Sequence, residues 1–354
     1  MHVNDLETPS VLINLDRMEN NIRRMQDRCN ELGIAFRPHI KTHKLPRIAE
    51  MQLDAGAIGI TCQKVSEAEA MVAGSDRLND VLITYNILGD DKLHALVALA
   101  RKVKLAVVAD NATVIDGLSA AFAAAGTTLS VFVECNTGAD RCGVGSPHEA
   151  AELAGRIHAA PGLHFAGLMT YPPVGGAAKV QAFMTEAKAL IETKGIAVPA
   201  ITSGGSPDMM LAHLAPVATE FRPGTYVYND RSMVRAGECT RADLAMHILA
   251  TVVSRPAEDR AVLDAGSKTL TSDLLGFSDY GEIDGFEDAR IVSLSEEHAV
   301  VDLSACAERP EVGDRVHVIP NHACVVTNLF DEIHLMRGDH VEEIARVTSR
   351  GRLT

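Results

Sequence analysis

The stretch that decides the fold runs from Lys104-Leu-Ala-Val-Val-Ala109 through residues 112–125 to Leu129-Ser-Val-Phe-Val-Glu-Cys135. Its first and last segments are short, nearly continuous apolar runs, which are typical of strands buried on both faces of a parallel sheet. The alanine-rich residues between them have the apolar spacing of a helix. Strand, helix and strand in this order predict a β-α-β unit with two parallel strands.

The same alternation extends in both directions along the chain. Strand-like runs occupy eight positions: 34–37, 57–62, 81–85, 104–109, 129–135, 164–170, 200–203, and 220–222 together with 226–228. Helical spacing lies between them at 67–73, 93–102, 112–125, 149–159 and 179–194. Eight such units predict a (β/α)8 barrel of the TIM type, and an open doubly wound sheet is the alternative.

After residue 240 the helical spacing nearly disappears. Strand-like runs follow at 246–254, 260–263, 289–294, 299–303, 315–319 and 334–336, with glycine-containing turns between several of them. Residues 10–16 are also strand-like, and we expect them to pair with this part of the chain. The predicted organisation is a barrel at 16–235 and a mainly β domain made of 1–15 and 236–354.

Composition and charge restrict the class of protein. The 354 residues have a formal net charge of −14, with 47% hydrophobic and 23% charged residues. This mixture is typical of a globular protein, and the acidic excess argues against nucleic acid or an anionic membrane as a partner. The seven cysteines lack a disulfide-like spacing, the N-terminus lacks an apolar signal core, and no apolar run approaches a membrane span. We therefore expect a cytoplasmic protein with reduced cysteines.

Polar side chains follow the predicted barrel strands at their carboxyl ends, where a barrel builds its active site. The most informative segment is Arg37-Pro-His-Ile-Lys41-Thr-His-Lys44, which follows the first strand. A lysine that is desolvated or lies beside other cations can form a Schiff base with an aldehyde cofactor. Taken alone, Lys41 and Lys44 would be ordinary solvated charges at the start of a helix. The other polar residues at strand ends are His39, Thr42, Gln63, Lys64, Tyr85, Asn86, Glu134, Asn136, Asp140, Arg141 and Tyr171.

Glycine-rich turns follow the last two predicted strands, at Ser203-Gly-Gly-Ser206 and Arg222-Pro-Gly-Thr-Tyr226. This is the expected phosphate site of a barrel, because bare backbone N–H groups can surround an anion there. An isolated Ser-Gly-Gly-Ser is more often a plain turn. Together with the lysine after the first strand, the two turns predict a phosphorylated aldehyde cofactor held at both ends.

A second candidate site lies in Pro320-Asn-His-Ala-Cys324. On a strand, a histidine and a cysteine two positions apart point to the same face, so an imidazole and a thiolate could bind one cation. The spacing is common, and packing is its more frequent explanation.

A set of motifs follows in one order along nearly the whole chain: Thr8-Pro9 with Leu15-Asp16, then residues 37–44, 62–69, 138–144, 203–205 and 222–226. Together they resemble the fold-type III pyridoxal-phosphate enzymes, and within these the D-threonine aldolase and D-serine dehydratase family. The resemblance implies an alanine-racemase-like barrel with a C-terminal mainly β domain. It also implies a homodimer with its sites near the subunit interface.

The resemblance assigns roles to individual residues. Lys41 would form the Schiff base with pyridoxal phosphate, and His39 and Tyr171 would take part in catalysis. Tyr171 as a packing residue at the barrel rim is the alternative. The residues that would contact the cofactor are Lys41, Gln63, Arg141, Tyr171, Ser203, Gly204, Gly205, Gly224, Thr225 and Tyr226.

The resemblance also makes His322 and Cys324 the ligands of a divalent metal, with zinc, manganese, cobalt and magnesium as candidates. Two protein ligands would leave positions for water and for the substrate, as a catalytic metal requires. The pair Glu297-His298 either adjoins this site or forms a surface turn.

The implied activity is that of a lyase for β-hydroxy-D-amino acids. Loss of the substrate hydroxyl proton leads to glycine and an aldehyde, whereas removal of the Cα proton with departure of hydroxide leads to a 2-oxo acid and ammonia. His-x-Cys favours the dehydratase, and the runs 168–171 and 326–329 favour the aldolase, which is our expectation. Pro172 replaces a polar residue of the aldolases, so His39, His43 or a metal-bound water would be the base. An amino acid racemase or decarboxylase, or a non-catalytic cofactor carrier, would leave His-x-Cys without a role.

Overall fold

The computed structural model describes residues 1–354, which divide into two compact units. The barrel unit comprises Arg24–Lys41, Pro46–Gly224 and Arg352–Thr354. The β unit comprises Met1–Arg23, Thr42–Leu45 and Thr225–Gly351.

Strands occur in both units of the chain. In chain order they are β1 (Ser10–Asn14), β2 (Ala35–Phe36), β3 (Ile60–Cys62), β4 (Asp80–Ile83), β5 (Lys104–Ala109), β6 (Leu129–Cys135), β7 (Leu163–Thr170), β8 (Ala200–Ser203), β9 (Glu220–Phe221), β10 (Met246–Ala257), β11 (Arg260–Leu263), β12 (Gly281–Ile283), β13 (Arg290–Leu294), β14 (Ala299–Asp302), β15 (Arg315–Pro320), β16 (Glu332–Arg337) and β17 (His340–Arg346).

The helices lie mainly in the first two thirds of the chain. They are α1 (Leu15–Leu32), α2 (Pro46–Ala55), α3 (Val65–Ala73), α4 (Asp90–Ala100), α5 (Ala112–Ala124), α6 (Pro147–Ala159), α7 (Ala177–Thr193), α8 (Arg231–Arg235), α9 (Ser267–Leu270) and α10 (Ala323–Leu329). Short 3-10 helices occur at Val3–Asp5, Ile40–Thr42, Met209–Leu214, Thr225–Val227 and Arg241–Asp243. None of the helices combines the length and the apolar character needed to cross a bilayer.

The barrel unit contains eight parallel strands in the order β2-β9-β8-β7-β6-β5-β4-β3. The two ends of this order meet just after β2, where a parallel bridge pairs His39 with Thr61. The N–H of Thr61 donates to the carbonyl oxygen of Pro38 at 2.8 Å. The strands therefore close on themselves, with α2 to α7 between successive strands from β2 to β8. This confirms the predicted (β/α)8 barrel and excludes the open doubly wound sheet.

Strand alternation explains the apolar core of the barrel unit. One set of strand side chains, including Val81, Val107 and Val131, belongs to the large cluster shared with the helices. The alternate set forms a separate cluster of Leu82, Val108, Phe132 and Met169. Because both faces of the strands are buried, the strands are continuous apolar runs in the sequence.

The strand predicted at 226–228 is wrong, and only Glu220–Phe221 of the eighth predicted strand is extended. Thr225–Val227 is instead a turn of 3-10 helix. The N–H groups of Tyr228 and Asn229 both donate to the carbonyl oxygen of Thr225, at 3.1 and 2.7 Å. Tyrosines and valine favour strands by propensity, but local backbone hydrogen bonds after Pro223-Gly224 decide the conformation here.

The β unit is built around a nine-stranded sheet in which β1 lies between β10 and β16. β1 is antiparallel to β10 and parallel to β16, which confirms that the N-terminal strand pairs with the C-terminal part of the chain. β12 and β17 were not predicted. β17 pairs with β16 and, at its first residue, bridges His2; its charged side chains are common for an edge strand.

A pair of histidines lines a cavity of about 270 Å³ in the β unit. His247 in β10 and His317 in β15 have ring centroids 6.0 Å apart. Burial and the neighbouring His317 lower the pKa of His247 to about 4, and Asp284 only partly opposes this effect. The neutral imidazole is therefore the form that the folded state favours.

We expect acid to destabilise the protein through His247. An unfolded histidine has a pKa of about 6.5, so between that value and about 4 the unfolded state binds more protons. Stability is thus complete above this window and falls as the pH falls through it. Between pH 7 and about 4.5, wild type should lose on the order of 2 kcal/mol more than His247→Gln. Urea unfolding of both proteins at the two pH values measures the difference, and equal losses would contradict the prediction.

Candidate active site

Lys41 lies in the 3-10 turn Ile40–Thr42, a few residues beyond the carboxyl end of β2, and is half-buried. His39 positions the backbone there, because its N–H donates to the carbonyl oxygen of Pro223 at 3.0 Å and its Nδ1 accepts the N–H of Lys41 at 3.3 Å. Lys44 differs from Lys41: it is buried, and its Nζ donates to the carbonyl oxygen of Ser349 at 3.2 Å. Of the two lysines, Lys41 is therefore the more exposed, and Lys44 is held by a backbone carbonyl group.

The side chain of His39 is held by Gln63. Since Nδ1 accepts from the backbone, the hydrogen is on Nε2, which lies 3.2 Å from Oε1 of Gln63. Gln63 in turn donates from Nε2 to the carbonyl oxygen of Thr84 at 2.9 Å. Both ring nitrogens of His39 are therefore engaged, and this geometry supports a positioning role rather than that of a free base. His43 is fully buried, with its Nδ1 accepting from the N–H of Leu45 at 3.2 Å.

Arg141, Tyr171 and Gly205 form a stack in the barrel unit. The guanidinium carbon of Arg141 lies 4.5 Å from the centroid of the Tyr171 ring, a cation–π arrangement. A Cβ added at Gly205 would lie 3.3 Å from Cε2 of Tyr171, so the backbone of the turn touches the ring. The Tyr171 side chain remains 36% exposed, which leaves part of the ring available to a ligand.

In the barrel unit, the two glycine-rich turns are joined by hydrogen bonds that backbone N–H groups donate. The N–H of Arg222 donates to the carbonyl oxygen of Ser203 at 3.0 Å, and the N–H of Gly224 donates to Oγ of Ser206 at 3.1 Å. Gly204 has φ of +146°, and a Cβ there would lie 2.6 Å from the nitrogen of Arg222. Only glycine fits this close approach. Ser203, Gly204, Gly205 and Gly224 are thus brought together at the ends of β8 and β9.

Gly204→Ala is expected to destabilise the protein by about 2 kcal/mol and to weaken binding of a phosphorylated ligand, because the new Cβ displaces the backbone of Arg222. Gly126→Ala is the matched control, since a Cβ at Gly126 meets no atom although φ is also positive, at +63°. Thermal unfolding and cofactor titration of both variants measure the effects. Equal behaviour of the two variants would contradict the prediction.

Buried charges surround Arg222 inside the barrel unit. Its Nε donates to Oγ1 of Thr202 at 2.8 Å and its Nη2 to the carbonyl oxygen of Thr170 at 2.7 Å. Burial lowers the pKa of Arg222 to about 10, although Glu220 and Glu134 oppose the change. Burial, and secondly Asp110, raise the pKa of Glu134 to about 7. Glu134, at the end of β6, is therefore a group that titrates near neutral pH. The positive charge of Arg141 partly opposes the rise of its pKa.

The predicted metal ligands lie in the β unit, but not on a strand as the sequence suggested. His322 is the extended N-cap residue of α10, and Cys324 is the second residue of that helix. The strand prediction was wrong because a helix starts at Ala323. The N–H of Ala323 donates to Oδ2 of the buried Asp230 at 3.0 Å. The preceding Asn321 is also held, since its Oδ1 accepts from Arg231 at 2.8 Å. The backbone of His322 is therefore fixed on both sides.

The surroundings of this pair favour a cation. Oγ1 of Thr42 lies 3.1 Å and Oγ1 of Thr225 lies 3.6 Å from Sγ of Cys324. Burial alone would lower the pKa of His322, but Cys324, with the carboxylates of Asp273 and Asp230, raises it to about 9. A thiol and two carboxylates around one imidazole stabilise positive charge. No group of three or more His, Cys, Asp or Glu side chains is arranged to hold a metal ion, so His322 and Cys324 remain a candidate pair of ligands.

Other predicted site residues lie elsewhere. Thr225 and Tyr226 belong to the β unit, where Thr225 contacts Cys324 and Tyr226 is buried. Glu297 forms an ion pair with Lys268 at 2.7 Å, and the carbonyl oxygen of His298 accepts the N–H of Ser295 at 2.9 Å. Glu297-His298 is thus a turn between β13 and β14.

Sequence reasoning missed Asp230 and Asp273. Nδ1 of His322 lies 2.7 Å from Oδ2 of Asp273, which is 49 residues away in the chain. Neither aspartate follows a barrel strand or stands at a ligand-like spacing from His322. Only the folded β unit brings them together.

The sequence matches two family models. Residues 13–232 match the alanine racemase N-terminal domain, and residues 245–336 match a putative serine dehydratase domain. D-threonine aldolase of Arthrobacter sp. is 34% identical over 98% of this chain and 93% of its own. D-threo-3-hydroxyaspartate dehydratase of Delftia sp. strain HT23 is 28% identical over 94% and 95%.

Solved structures agree with these matches. The crystal structure of D-threonine aldolase from Filomicrobium marinum has a TM-score of 0.93 and 32% identity, covering 99% of this chain and 97% of its own. Two variants of D-threo-3-hydroxyaspartate dehydratase, both 26% identical, have TM-scores of 0.89 and 0.87. Both cover 98% of this chain, and the alignments span 96% and 98% of their own chains. One replaces a histidine and the other a cysteine two positions later, and the cysteine variant is described as metal-free. The chain belongs to the fold-type III pyridoxal-phosphate enzymes, in the D-threonine aldolase and D-serine dehydratase family whose barrel is an alanine racemase N-terminal domain.

Proposed function

We propose that this protein is a pyridoxal-phosphate- and divalent-metal-dependent lyase that cleaves β-hydroxy-D-amino acids to glycine and an aldehyde. The observation that carries the proposal is the turn Ile40–Thr42. It bears Lys41, and its last residue, Thr42, contacts Cys324 at 3.1 Å. One turn thus contains both the candidate cofactor lysine and a neighbour of the candidate metal ligand.

The barrel unit suits pyridoxal phosphate. Lys41 would hold its aldehyde carbon, and the turn at Gly204 and Gly205 would accept its phosphate, since no Cβ fits at Gly204. The stacked Arg141 and Tyr171 would lie along its ring. When bound, the cofactor supplies an electron sink for the bond that breaks at the substrate Cα. His39 and Gln63 would keep the Lys41 backbone in place during this chemistry.

The pair His322 and Cys324 suits a divalent ion because it combines an imidazole and a thiol in an anionic environment. A thiolate ligand favours zinc or cobalt over magnesium. The ion would supply Lewis acidity to the β-hydroxyl of the substrate. Within the β unit, Thr42 and Thr225 would orient the Cys324 thiolate.

The dehydratase reaction is the second candidate, and the ligand types favour it. The dehydratase variants described above affect a histidine and a cysteine with the spacing of His322 and Cys324. Pro172 also provides no polar group after Tyr171 for deprotonating a substrate hydroxyl. The higher identity to D-threonine aldolase, 34% against 28%, supports the aldolase reaction.

Purified protein incubated with pyridoxal phosphate, zinc or manganese, and D-threonine should release glycine and acetaldehyde. Formation of 2-oxobutyrate and ammonia instead would establish the dehydratase. L-Threonine is the stereochemical control and should give neither product set. Absence of both reactions across D-threonine, D-serine and 3-hydroxy-D-aspartate would overturn the proposed substrate class.

Three further predictions come from the sequence, the homodimer from the family resemblance and the other two from composition and the pattern of strands and helices. A homodimer is tested by light scattering of the purified protein, and a cytoplasmic location by fractionation of the native host cell. The domain boundaries at residues 16 and 236 are tested by limited proteolysis followed by mass spectrometry.

A further inference from the structure

The Nδ1 nitrogen of His322 has a carboxylate partner. Nδ1 lies 2.7 Å from Oδ2 of Asp273. A carboxylate only accepts, so Nδ1 carries a hydrogen and donates it, and the lone pair of the neutral imidazole resides on Nε2. Asp273 thus selects the tautomer in which Nε2 is available to a cation.

The backbone contacts of this segment cannot fix the ring. Asn321 and Ala323 hold the backbone on either side of His322, through Arg231 and Asp230 respectively. These bonds leave rotation about the Cα–Cβ and Cβ–Cγ bonds undetermined. Cys324 also hydrogen-bonds the His322 side chain, but it is itself a candidate ligand of the ion. Asp273 binds Nδ1 and thereby orients Nε2 away from itself, independently of the ion.

A strained residue holds the backbone of Asp273. Thr271, two residues earlier, has φ of +66° and ψ of 156°, which is a costly conformation for a β-branched residue. Thr271 is buried, and its Oγ1 accepts the N–H of Asp273 at 3.1 Å. This hydrogen bond thus fixes the backbone of Asp273 to the strained turn that follows α9.

We propose that Asp273 is a positioning residue that holds His322 so that Nε2 faces the divalent ion. The proposal rests on the metal site of the proposed function. Asp273 is not itself a ligand of the same ion, because the two nitrogens of an imidazole point to opposite sides of the ring. Carboxylates that bind a ligating histidine in this way typically contribute about 10- to 100-fold to metal affinity.

Asp230 does not serve this purpose, although it is the other nearby carboxylate. Its Oδ2 accepts from Ala323, and its Oδ1 accepts from Ser232 and Met233 at 2.5 and 3.2 Å. Asp230 therefore caps α8 and fixes the start of α10.

The test compares Asp273→Ala and Asp273→Asn with wild type in the cofactor-loaded protein after removal of metal by a chelator. Titration with Co²⁺, followed by cobalt–thiolate absorption and by competition with a chromophoric chelator, gives the affinity. Asp273→Ala should bind Co²⁺ about 10- to 100-fold more weakly, with Asp273→Asn between it and wild type because an amide oxygen still accepts a hydrogen bond. The control Asp259→Asn, an exposed aspartate of the same unit, removes the same charge and should leave affinity unchanged.

A second measurement separates positioning from a general structural role. The metal concentration for half-maximal lyase activity should rise in Asp273→Ala, while kcat at saturating metal should recover most of its wild-type value. If Asp273→Ala kept the wild-type Co²⁺ affinity while His322→Ala lost it, the positioning role would be overturned and the metal site would stand. Unchanged affinity in both His322→Ala and Cys324→Ala would overturn the metal site itself, and the positioning role with it.

Discussion

Lys41→Ala is expected to lower kcat/KM for a β-hydroxy-D-amino acid by about 10³-fold or more and to abolish covalent attachment of pyridoxal phosphate. The physical reason is that the Lys41 amine is the proposed attachment point of the cofactor, without which no electron sink is held beside the substrate Cα. Borohydride reduction followed by peptide mass spectrometry locates the attachment, and steady-state kinetics give the loss.

Two controls accompany Lys41→Ala. Lys41→Arg keeps a positive charge in the same turn but cannot condense with an aldehyde, so it should lose activity to the same degree. Lys102→Ala removes an exposed lysine that follows α4, and this variant should have wild-type kinetics. Covalent cofactor recovered from Lys41→Ala protein would overturn the assignment of this lysine.

Cys324→Ala is expected to lower lyase activity by about 10²- to 10³-fold and to weaken zinc binding, because only His322 then remains as a ligand. Chelation of the wild-type protein should have the same effect, and added zinc, manganese or cobalt should reverse it. Activity as a function of free metal, together with metal content after dialysis, measures both changes.

The matched control for this variant is Cys306→Ala, which removes another buried cysteine of the β unit. It should keep metal content and activity. Thr42→Val should have a smaller effect than Cys324→Ala, since it removes a hydroxyl partner of the thiol and leaves both ligands. Full lyase activity of chelated wild-type protein would contradict the metal dependence.

The barrel could be predicted from the sequence because its strands are buried on both faces. Three strands have the predicted bounds, Lys104–Ala109, Leu129–Cys135 and Ala200–Ser203. The helix Ala112–Ala124 ends one residue before the prediction. In these segments, local propensity, apolar periodicity and tertiary packing all favour the same structure.

The segments at 226–228 and 322–324 could not be predicted in this way. The first contains residues that favour strands and the second follows a strand-like run directly, yet one is a 3-10 turn and the other begins a helix. In the second case the helix starts at a backbone N–H that donates to Asp230, 93 residues away. A conformation that depends on a distant acceptor leaves no local pattern in the sequence.

The sequence by itself determined the barrel, its lysine turn, the glycine-rich turns and the His-x-Cys pair, because each is encoded by residues close together in the chain. Only the tertiary structure decided which groups surround these residues. It placed Asp273 on Nδ1 of His322, Thr42 and Thr225 on Cys324, and Arg141 on Tyr171. These contacts depend on distances between residues that are remote in the chain, and those distances exist only once the strands and helices have packed.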